Sequence, residues 1–266
     1  MSKKPVHQVI AEKCQWHYQP TAEEQALGFK GWYSRGYLPH FDAPGTWQFI
    51  TYRLADSIPA GLSHQWAEAM KLEDDREKFQ RIEFMLDHGF GACPLRQSRL
   101  AQMVQDNLWF HDGKTYRLLA WVVMPNHLHI LAEMWKPLAE VLRNWKAYTA
   151  NQANKILEQP GESFWQKDYF DRYIRDQEHY RKVVHYIESN PVKAGLVVEP
   201  AQWPWSSAPY RNRYGSDVLP EIPKRPAEDA CAKATVGTGA RTALSARIHN
   251  PLTPAAKPVR DPLNHP

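Results

Sequence analysis

The sequence predicts an α+β fold: a ferredoxin-like sandwich built on a four-stranded antiparallel sheet. The predicted elements follow the order strand, helix, two paired strands, helix, strand. The strands are rich in β-branched and aromatic residues, and the helices carry apolar residues at helical spacing. With 266 residues, 43% of them hydrophobic, the chain is long enough to bury a large core. In such a sandwich we expect helices on one face of the sheet and a free face for a ligand.

The first half of this fold begins with an aromatic, β-branched strand at residues 46–54. One charged helix is predicted from Ser63 to about Asp87, and Gly89 is placed to end it. A second helix is predicted at residues 98–110, because its apolar residues fall on one face.

The second half contains two strands, 116–124 and 127–134, that follow each other closely enough to pair. Pro137 stands in the first turn of a third helix, a position that proline favours. The short aromatic segment 163–170 is predicted to be the last strand. A fourth helix is predicted from the capping residue Asp176 to about residue 190, where the next residue is a proline.

The chain divides into three predicted parts. Residues 1–44 form an N-terminal arm and an extended segment, and residues 45–212 form the domain that carries the chemistry. Residues 213–266 are predicted to be a disordered tail, because eight of the 21 prolines lie from Pro220 onward among Ala, Lys, Arg and Thr.

Composition indicates a cytoplasmic protein without a membrane segment. The three cysteines have no metal-ligand spacing and indicate reduced thiols. No apolar run is long enough to span a bilayer, and the first residues lack the apolar core of a signal peptide. The net charge of +4 permits nucleic-acid binding without establishing it.

Two histidines at alternate positions of a predicted strand, His127 and His129, form the first candidate site. Successive side chains of a strand point to opposite faces, so the two imidazoles project side by side while Leu128 faces the other way. That arrangement suits two imidazoles that bind one metal ion. Two ordinary histidines on a half-polar strand would show the same spacing, and the pattern leaves both interpretations open.

Tyr186 and Asn190 form the second candidate site, because residues four apart are neighbours on a helix surface. A phenol beside an amide oxygen, with Lys182 nearby, is half of a metal-assisted phosphoryl-transfer site. The alternative is a tyrosine that packs over the core and an asparagine that ends a helix before Pro191. Spacing alone favours this alternative.

Several motifs occur in a characteristic order. They are His127-Leu128-His129 after Met124-Pro125-Asn126, the segment 186–197 (YIESNPVKAGLV), Trp165-Gln166, the segment 203–207 (WPWSS) and the segment 53–57 (RLADS). Over about residues 30–212 they resemble the REP-associated tyrosine transposases, which belong to the single-tyrosine HUH endonucleases and are similar to insertion-sequence transposases.

The resemblance implies the ferredoxin-like palm of HUH endonucleases and a set of roles. His127 and His129 would bind a divalent metal ion, Asn190 would be a third ligand, and Tyr186 would be the nucleophile. Three other tyrosines are competing candidates that lack these neighbours: Tyr169, Tyr173 and Tyr180. The ion would be Mg²⁺ or Mn²⁺, and imidazole ligands favour Mn²⁺.

The resemblance further implies cleavage of single-stranded DNA near palindromic hairpins through a 5′-phosphotyrosine intermediate, by a monomer or a homodimer. Basic residues near the site in sequence are candidates for contacts with DNA phosphates. They are Arg143, Lys146, Lys167, Arg172, Arg175, Lys182 and Lys193. Lys182, one turn before Tyr186, is also expected to stabilise the phenolate. The aromatic segment from Trp32 to Tyr37 serves either in hairpin recognition or in packing on the core.

Three other functions remain open. The first is a domesticated DNA-binding protein without useful cleavage. The second is a metal-dependent hydrolase that acts through water, in which Tyr186 is structural. The third is an RNA-binding module, which is disfavoured because the two central strands lack the usual base-stacking aromatic residues.

Overall fold

The computed structural model describes residues 18–34, 39–72 and 75–214, all of which fall in one unit, Met1–Ile222. The described helices and strands are, in chain order, α1 (Ala22–Ala26), β1 (Gly31–Ser34), β2 (Pro39–Asp42), β3 (Thr46–Arg53), α2 (Ser63–Lys71), α3 (Asp75–Asp87), α4 (Ser98–His111), β4 (Tyr116–Val123), β5 (His127–Met134), α5 (Leu138–Ile156), β6 (Phe170–Tyr173), α6 (Gln177–Lys193) and α7 (Ala208–Tyr214).

The main sheet has the strand order β4-β5-β3-β6, and every neighbouring pair is antiparallel. The predicted α+β fold with a four-stranded antiparallel sheet is therefore confirmed. The central strand β3 pairs with β5 over its whole length, from Thr46 opposite Met134 to Arg53 opposite His127. This register places the histidine strand in the middle of the sheet, where both of its edges are paired.

Helices cover both faces of this sheet. On one face α4 and α5 pack over residues such as Ile50 and Ile130. On the other face α6 packs over residues such as Leu131 and Val122, through Val184 and its neighbours. The expectation that one face stays free is therefore wrong, because the apolar stripe of α6 needs a partner and finds it on that face.

Two predicted helices differ from the observed ones. The charged helix 63–87 is two helices, α2 and α3, because Leu72 has an extended backbone (φ −59°, ψ 134°) that ends α2. The helix α6 continues through Pro191 to Lys193. It ends where Gly195, with φ +68°, lets the chain close a Schellman motif, in which the N–H of Leu196 donates to the carbonyl of Pro191.

The last strand lies later in the chain than predicted. Within the segment 163–170, Trp165 makes an isolated bridge with Leu54, and the continuous strand is Phe170–Tyr173. The aromatic side chains of Phe164 and Trp165 are buried in the core. The aromatic residues of this segment therefore indicate core packing and not a continuous strand.

Several predictions fall wholly or partly outside the described residues. Residues 1–17 and 35–38 of the predicted N-terminal part and nearly all of the tail 213–266 do so, and the boundaries at 44 and 212 stay predictions. Within the predicted hairpin-recognition segment, Trp32 packs against the rings of Phe41 and Tyr173, which supports the packing alternative for that residue. None of the helices in the described ranges is both long and apolar enough to cross a membrane.

Candidate metal and tyrosine site

The two histidines lie at the start of β5, directly after a tight turn. The N–H of Met124 donates to the carbonyl of His127 at 2.9 Å, and Pro125 and Asn126 form the corner between them. Proline fixes its backbone angle for this corner, and asparagine tolerates the position after it. The turn thus places His127 at the first position of the strand and His129 two residues later, on the same face.

Both imidazoles are buried and held by neighbours. The Nδ1 of His127 contacts Asn126 Oδ1 at 2.7 Å, and Asn126 Nδ2 donates to the carbonyls of Leu86 and Phe90. The Nδ1 of His129 contacts Thr51 Oγ1 at 2.8 Å. The two Nε2 atoms consequently face each other at 3.0 Å.

Burial, and secondly the nearby His129, hold the pKa of His127 well below its usual value. Its imidazole is therefore neutral near pH 7, and the neutral form is the one that binds a metal ion.

A third ligand type, not predicted from the sequence, reaches this pair from helix α3. The carboxylate oxygen Oε2 of Glu83 lies 3.3 Å from His129 Nε2, and Glu83 is 6% exposed. Among the described residues, neither oxygen of this carboxylate accepts a hydrogen bond. A buried carboxylate without hydrogen bonds is unfavourable, and a cation bound between Glu83 and the histidines would stabilise it.

The donor set fits a divalent cation. One ligand atom from each of Glu83, His127 and His129 can be chosen so that all three lie within 4.8 Å of one another. Two imidazoles and one carboxylate on one side of an ion leave its other positions open, an arrangement typical of divalent transition-metal sites.

The sequence motif 53–57 helps to position Glu83. Asp56 accepts a hydrogen bond from the backbone N–H of Ala92 at 2.7 Å, and the guanidinium of Arg53 lies 4.3 Å from the ring centre of Trp66 in α2. Together with the contacts of Asn126, these interactions attach the segment that contains α2 and α3 to the end of β3. That attachment brings Glu83 over the histidines.

Helix α6 brings Tyr186 to the histidine pair. Its hydroxyl lies 3.5 Å from His129 Nε2, and its ring makes edge contacts with His129 and Phe49. Tyr180, a competing candidate on the same helix, is buried against Trp47. Of the four candidate tyrosines, Tyr186 is the one whose hydroxyl has a hydrogen-bond contact with either histidine in the described chain.

Asn190 lies one turn after Tyr186 and is fully buried. Within the part of the chain that the structure describes, neither its amide oxygen nor its amide nitrogen has a hydrogen-bond partner. A buried amide without a partner is unfavourable by about 1–3 kcal/mol. Asn190 as a metal ligand stays a prediction, and this unpaired oxygen supports it.

The C-terminal segment holds α6 in place. Glu188 accepts hydrogen bonds from Ser207 Oγ and Arg211 Nε, each at 2.6 Å. Ser207 in turn donates its backbone N–H to the carbonyl of Trp121 at 2.9 Å, along the outer edge of the sheet. The motif 203–207 therefore joins the tyrosine helix to strand β4.

The seven predicted DNA-binding residues are not all near Tyr186. Arg172 and Lys182 line a cavity beside it, and the ammonium of Lys193 lies 4.4 Å from the centre of its ring. Lys182, predicted to stabilise the phenolate, forms an ion pair with Glu178 at 2.6 Å. Lys193 is therefore better placed for that role than Lys182. Lys167 and Arg175 are exposed, and Arg143 and Lys146 lie on α5, which packs on the opposite face of the sheet.

We expect Lys146 to contribute to stability more than to DNA binding. Its ammonium donates to the carbonyls of residues 166, 167 and 168 at 2.9, 3.1 and 3.1 Å. Substitution Lys146→Met should lower the free energy of unfolding by about 1–3 kcal/mol, because three carbonyls lose a charged donor. Denaturant unfolding measures this. The exposed neighbour Arg143→Met is the control and should change stability by less than about 0.5 kcal/mol; equal effects would contradict the assigned role.

The chain is similar to the IS200-like transposases. Residues 97–190 match the family model described as "Transposase IS200 like", and this range includes both histidines, Tyr186 and Asn190. Glu83 lies outside it.

Among known proteins, the chain resembles a REP-associated tyrosine transposase of Escherichia coli (strain K12). The two are 28% identical over 94 residues, which cover 35% of this chain and 55% of that protein. An uncharacterized protein of Haemophilus influenzae is 26% identical over 100 residues, covering 29% of this chain and 54% of that protein. The chain thus spans about half the length of the curated relatives that it matches. These matches confirm the predicted resemblance.

A solved structure of a REP-associated tyrosine transposase bound to a REP hairpin is also similar. The alignment of the two structures covers 72% of this chain and 91% of the transposase chain, with 19% sequence identity and a TM-score of 0.43.

Proposed function

We propose that this chain is a metal-dependent tyrosine transposase that cleaves and rejoins single-stranded DNA at or near palindromic hairpins. The observation that carries the proposal is the 3.5 Å contact between the Tyr186 hydroxyl and His129 Nε2, beside the convergent donors of Glu83 and His127. A tyrosine nucleophile beside a set of metal ligands suits transesterification of a phosphodiester.

In the proposed step the oxygen of Tyr186 attacks the phosphorus atom of the DNA backbone. The bond from phosphorus to the 3′-oxygen breaks as the bond to the tyrosine oxygen forms. The products are a 5′-phosphotyrosine and a free 3′-hydroxyl. The phenol loses one proton in this step, and the departing 3′-oxygen takes up one proton. Attack by a 3′-hydroxyl reverses the step, so rejoining needs no nucleotide cofactor.

The side chains around Tyr186 have separate tasks. His127 and His129, with Glu83 and Asn190, would hold a divalent ion, Mg²⁺ or Mn²⁺. When bound, this ion supplies charge neutralisation at the scissile phosphate. A free phenol has a pKa of about 10 and is a weak nucleophile. We assign stabilisation of the negative charge that develops on the tyrosine oxygen to the ammonium of Lys193, which lies 4.4 Å from the centre of the ring.

The DNA partner is proposed from the same surroundings. Arg172, Lys182 and Lys193 surround Tyr186 and are the basic residues that we assign to the phosphates next to the cleaved bond. The proposed metal ligands are all buried, while Tyr186 is half-buried at the edge of a cavity. DNA would therefore approach from the side of Tyr186.

A covalent-adduct assay tests the proposal. The protein is mixed with labelled single-stranded hairpins from repeats that flank its own gene, with Mn²⁺, Mg²⁺ or a chelator, and is run on a denaturing gel. We expect a protein–DNA band that requires the metal ion. Cleavage without any adduct would replace the proposal with a hydrolase that acts through water. Binding without cleavage would replace it with a DNA-binding protein.

A further inference from the structure

A cavity of about 220 Å³ opens directly beside Tyr186. Its lining combines two phenylalanines, two cationic side chains, one histidine, one valine and the tyrosine itself: Phe49, Phe170, Arg172, Lys182, His179, Val183 and Tyr186. The ligands of the proposed metal ion are not part of this lining, so the cavity is a neighbour of the reacting centre and not the centre itself.

The sheet and helix α6 build the walls of this cavity from rigid elements. Phe170 and Arg172 alternate on β6 and therefore face the same side, and Arg172 stands opposite Phe49 on β3. The ring of Phe49 stacks on His129, with centres 5.6 Å apart, and makes an edge contact with Tyr186. One wall of the cavity is thus also a wall of the candidate active site.

The rim of the cavity is basic, and its histidine is neutral. Burial, followed by the positive charges of Arg172 and Arg175, lowers the pKa of His179 to about 4. The Nδ1 atom of this ring accepts a hydrogen bond from the N–H of Arg175 at 3.3 Å. In the neutral ring the proton therefore lies on Nε2, which makes that atom a hydrogen-bond donor.

We propose that this cavity binds the base of one unpaired nucleotide next to the scissile phosphate, so that it sets which base may flank the cleavage position. The inference rests on the proposed function. Aromatic rings offer a base flat apolar surfaces, and a basic rim suits the phosphates on either side of the nucleotide. A paired base would have to leave its partner to enter, so the cavity also selects single-stranded DNA.

Abasic nucleotides test the proposal on the wild-type protein. The hairpin substrate carries one abasic nucleotide at each position near the cleavage site in turn, and adduct formation is measured for each. We expect one position next to the cleaved bond to lose roughly tenfold or more in rate, because each stacked base contributes substantially to binding. A uniform effect at all positions would overturn the proposal.

A cavity-filling variant gives the matched test. In Val183→Trp the indole should occupy the space of the base, so adduct formation on intact DNA should fall by about tenfold. When the DNA carries an abasic nucleotide at the sensitive position, the variant should form the adduct at a rate close to that of the wild-type protein on the same abasic DNA. His185→Trp, an exposed substitution on the same helix outside the cavity, should behave as wild type. Wild-type rates for Val183→Trp on intact DNA would overturn the proposal.

Phe170→Ala is a second variant that tests the proposal if Val183→Trp does not fold. Removing one aromatic wall should shrink the penalty of the abasic position, and an unchanged penalty would overturn the proposal. Failure of the proposed function has a different signature. In that case the wild-type protein forms no adduct with any DNA, whereas a failed cavity leaves a normal adduct without a sensitive position.

Discussion

Tyr186→Phe should abolish the covalent adduct, with a loss of at least about 10³-fold in the rate of DNA cleavage. The substitution removes the attacking oxygen, and loss of a nucleophile is among the most damaging changes an enzyme can suffer. The phenyl ring remains, so its edge contact with Phe49 is preserved and stability should change by no more than about 1 kcal/mol. Gel analysis of the adduct and denaturant unfolding measure the two quantities.

Tyr180→Phe is the matched control for this result. Tyr180 lies on the same helix, and its ring is buried against Trp47, away from the histidine pair. We expect this variant to form the adduct at a rate close to wild type. An adduct that survives Tyr186→Phe, or that disappears in Tyr180→Phe in a folded protein, would contradict the assignment of Tyr186.

His129→Gln should remove both metal binding and DNA cleavage. A ligand that binds only the native state stabilises it, by about 2.7 kcal/mol at a hundredfold excess over its Kd. Wild-type protein should therefore melt at a higher temperature with Mn²⁺, and this increase should vanish in His129→Gln. Thermal unfolding with and without Mn²⁺ measures the effect without any DNA. The same increase in both proteins would contradict a metal site at the histidines.

Parallel variants identify the remaining ligands. If Glu83 binds the ion, Glu83→Gln should weaken Mn²⁺ binding by about tenfold or more, because it exchanges a charged donor for a neutral one. Asn190→Ala tests the predicted amide ligand in the same way. A wild-type affinity for either variant removes that residue from the donor set, and titration calorimetry separates the two outcomes.

The sequence predicts the histidine strand well because the signal is local. Alternation over residues 127–134 fixes which side chains share a face, and the turn residues Pro125 and Asn126 fix where the strand begins. The observed strand, His127–Met134, has the predicted bounds. The same reasoning places Tyr186 and Asn190 one turn apart on a helix that starts after the capping residue Asp176.

Glu83 could not be assigned from the sequence with the same reasoning. It lies 44 residues before His127, on a helix whose position over the sheet depends on tertiary contacts. One weak signal was available: Glu83 stands among Ile82, Met85 and Leu86, which are buried. A carboxylate next to an apolar stripe indicates a buried charge that needs a partner, but it does not identify the partner.

The prediction of the last strand is wrong for a related reason. Aromatic composition at residues 163–170 indicates burial, and burial occurs in loops as well as in strands, as Phe164 illustrates. The strand itself, Phe170–Tyr173, has the sequence Phe-Asp-Arg-Tyr, which does not alternate polar and aromatic residues, and four positions are too few for a clear period.

Mass spectrometry of the trypsin-digested adduct tests the central claim most directly. Cleavage after Lys182 and Lys193 gives the peptide 183–193, in which Tyr186 is the one tyrosine, and Tyr180 falls in the separate peptide 176–181. We predict that the DNA remnant adds its mass to peptide 183–193, and that fragmentation places it on Tyr186 as a phosphodiester. A remnant on any other peptide, or cleaved DNA without a modified peptide, would contradict Tyr186 as the nucleophile.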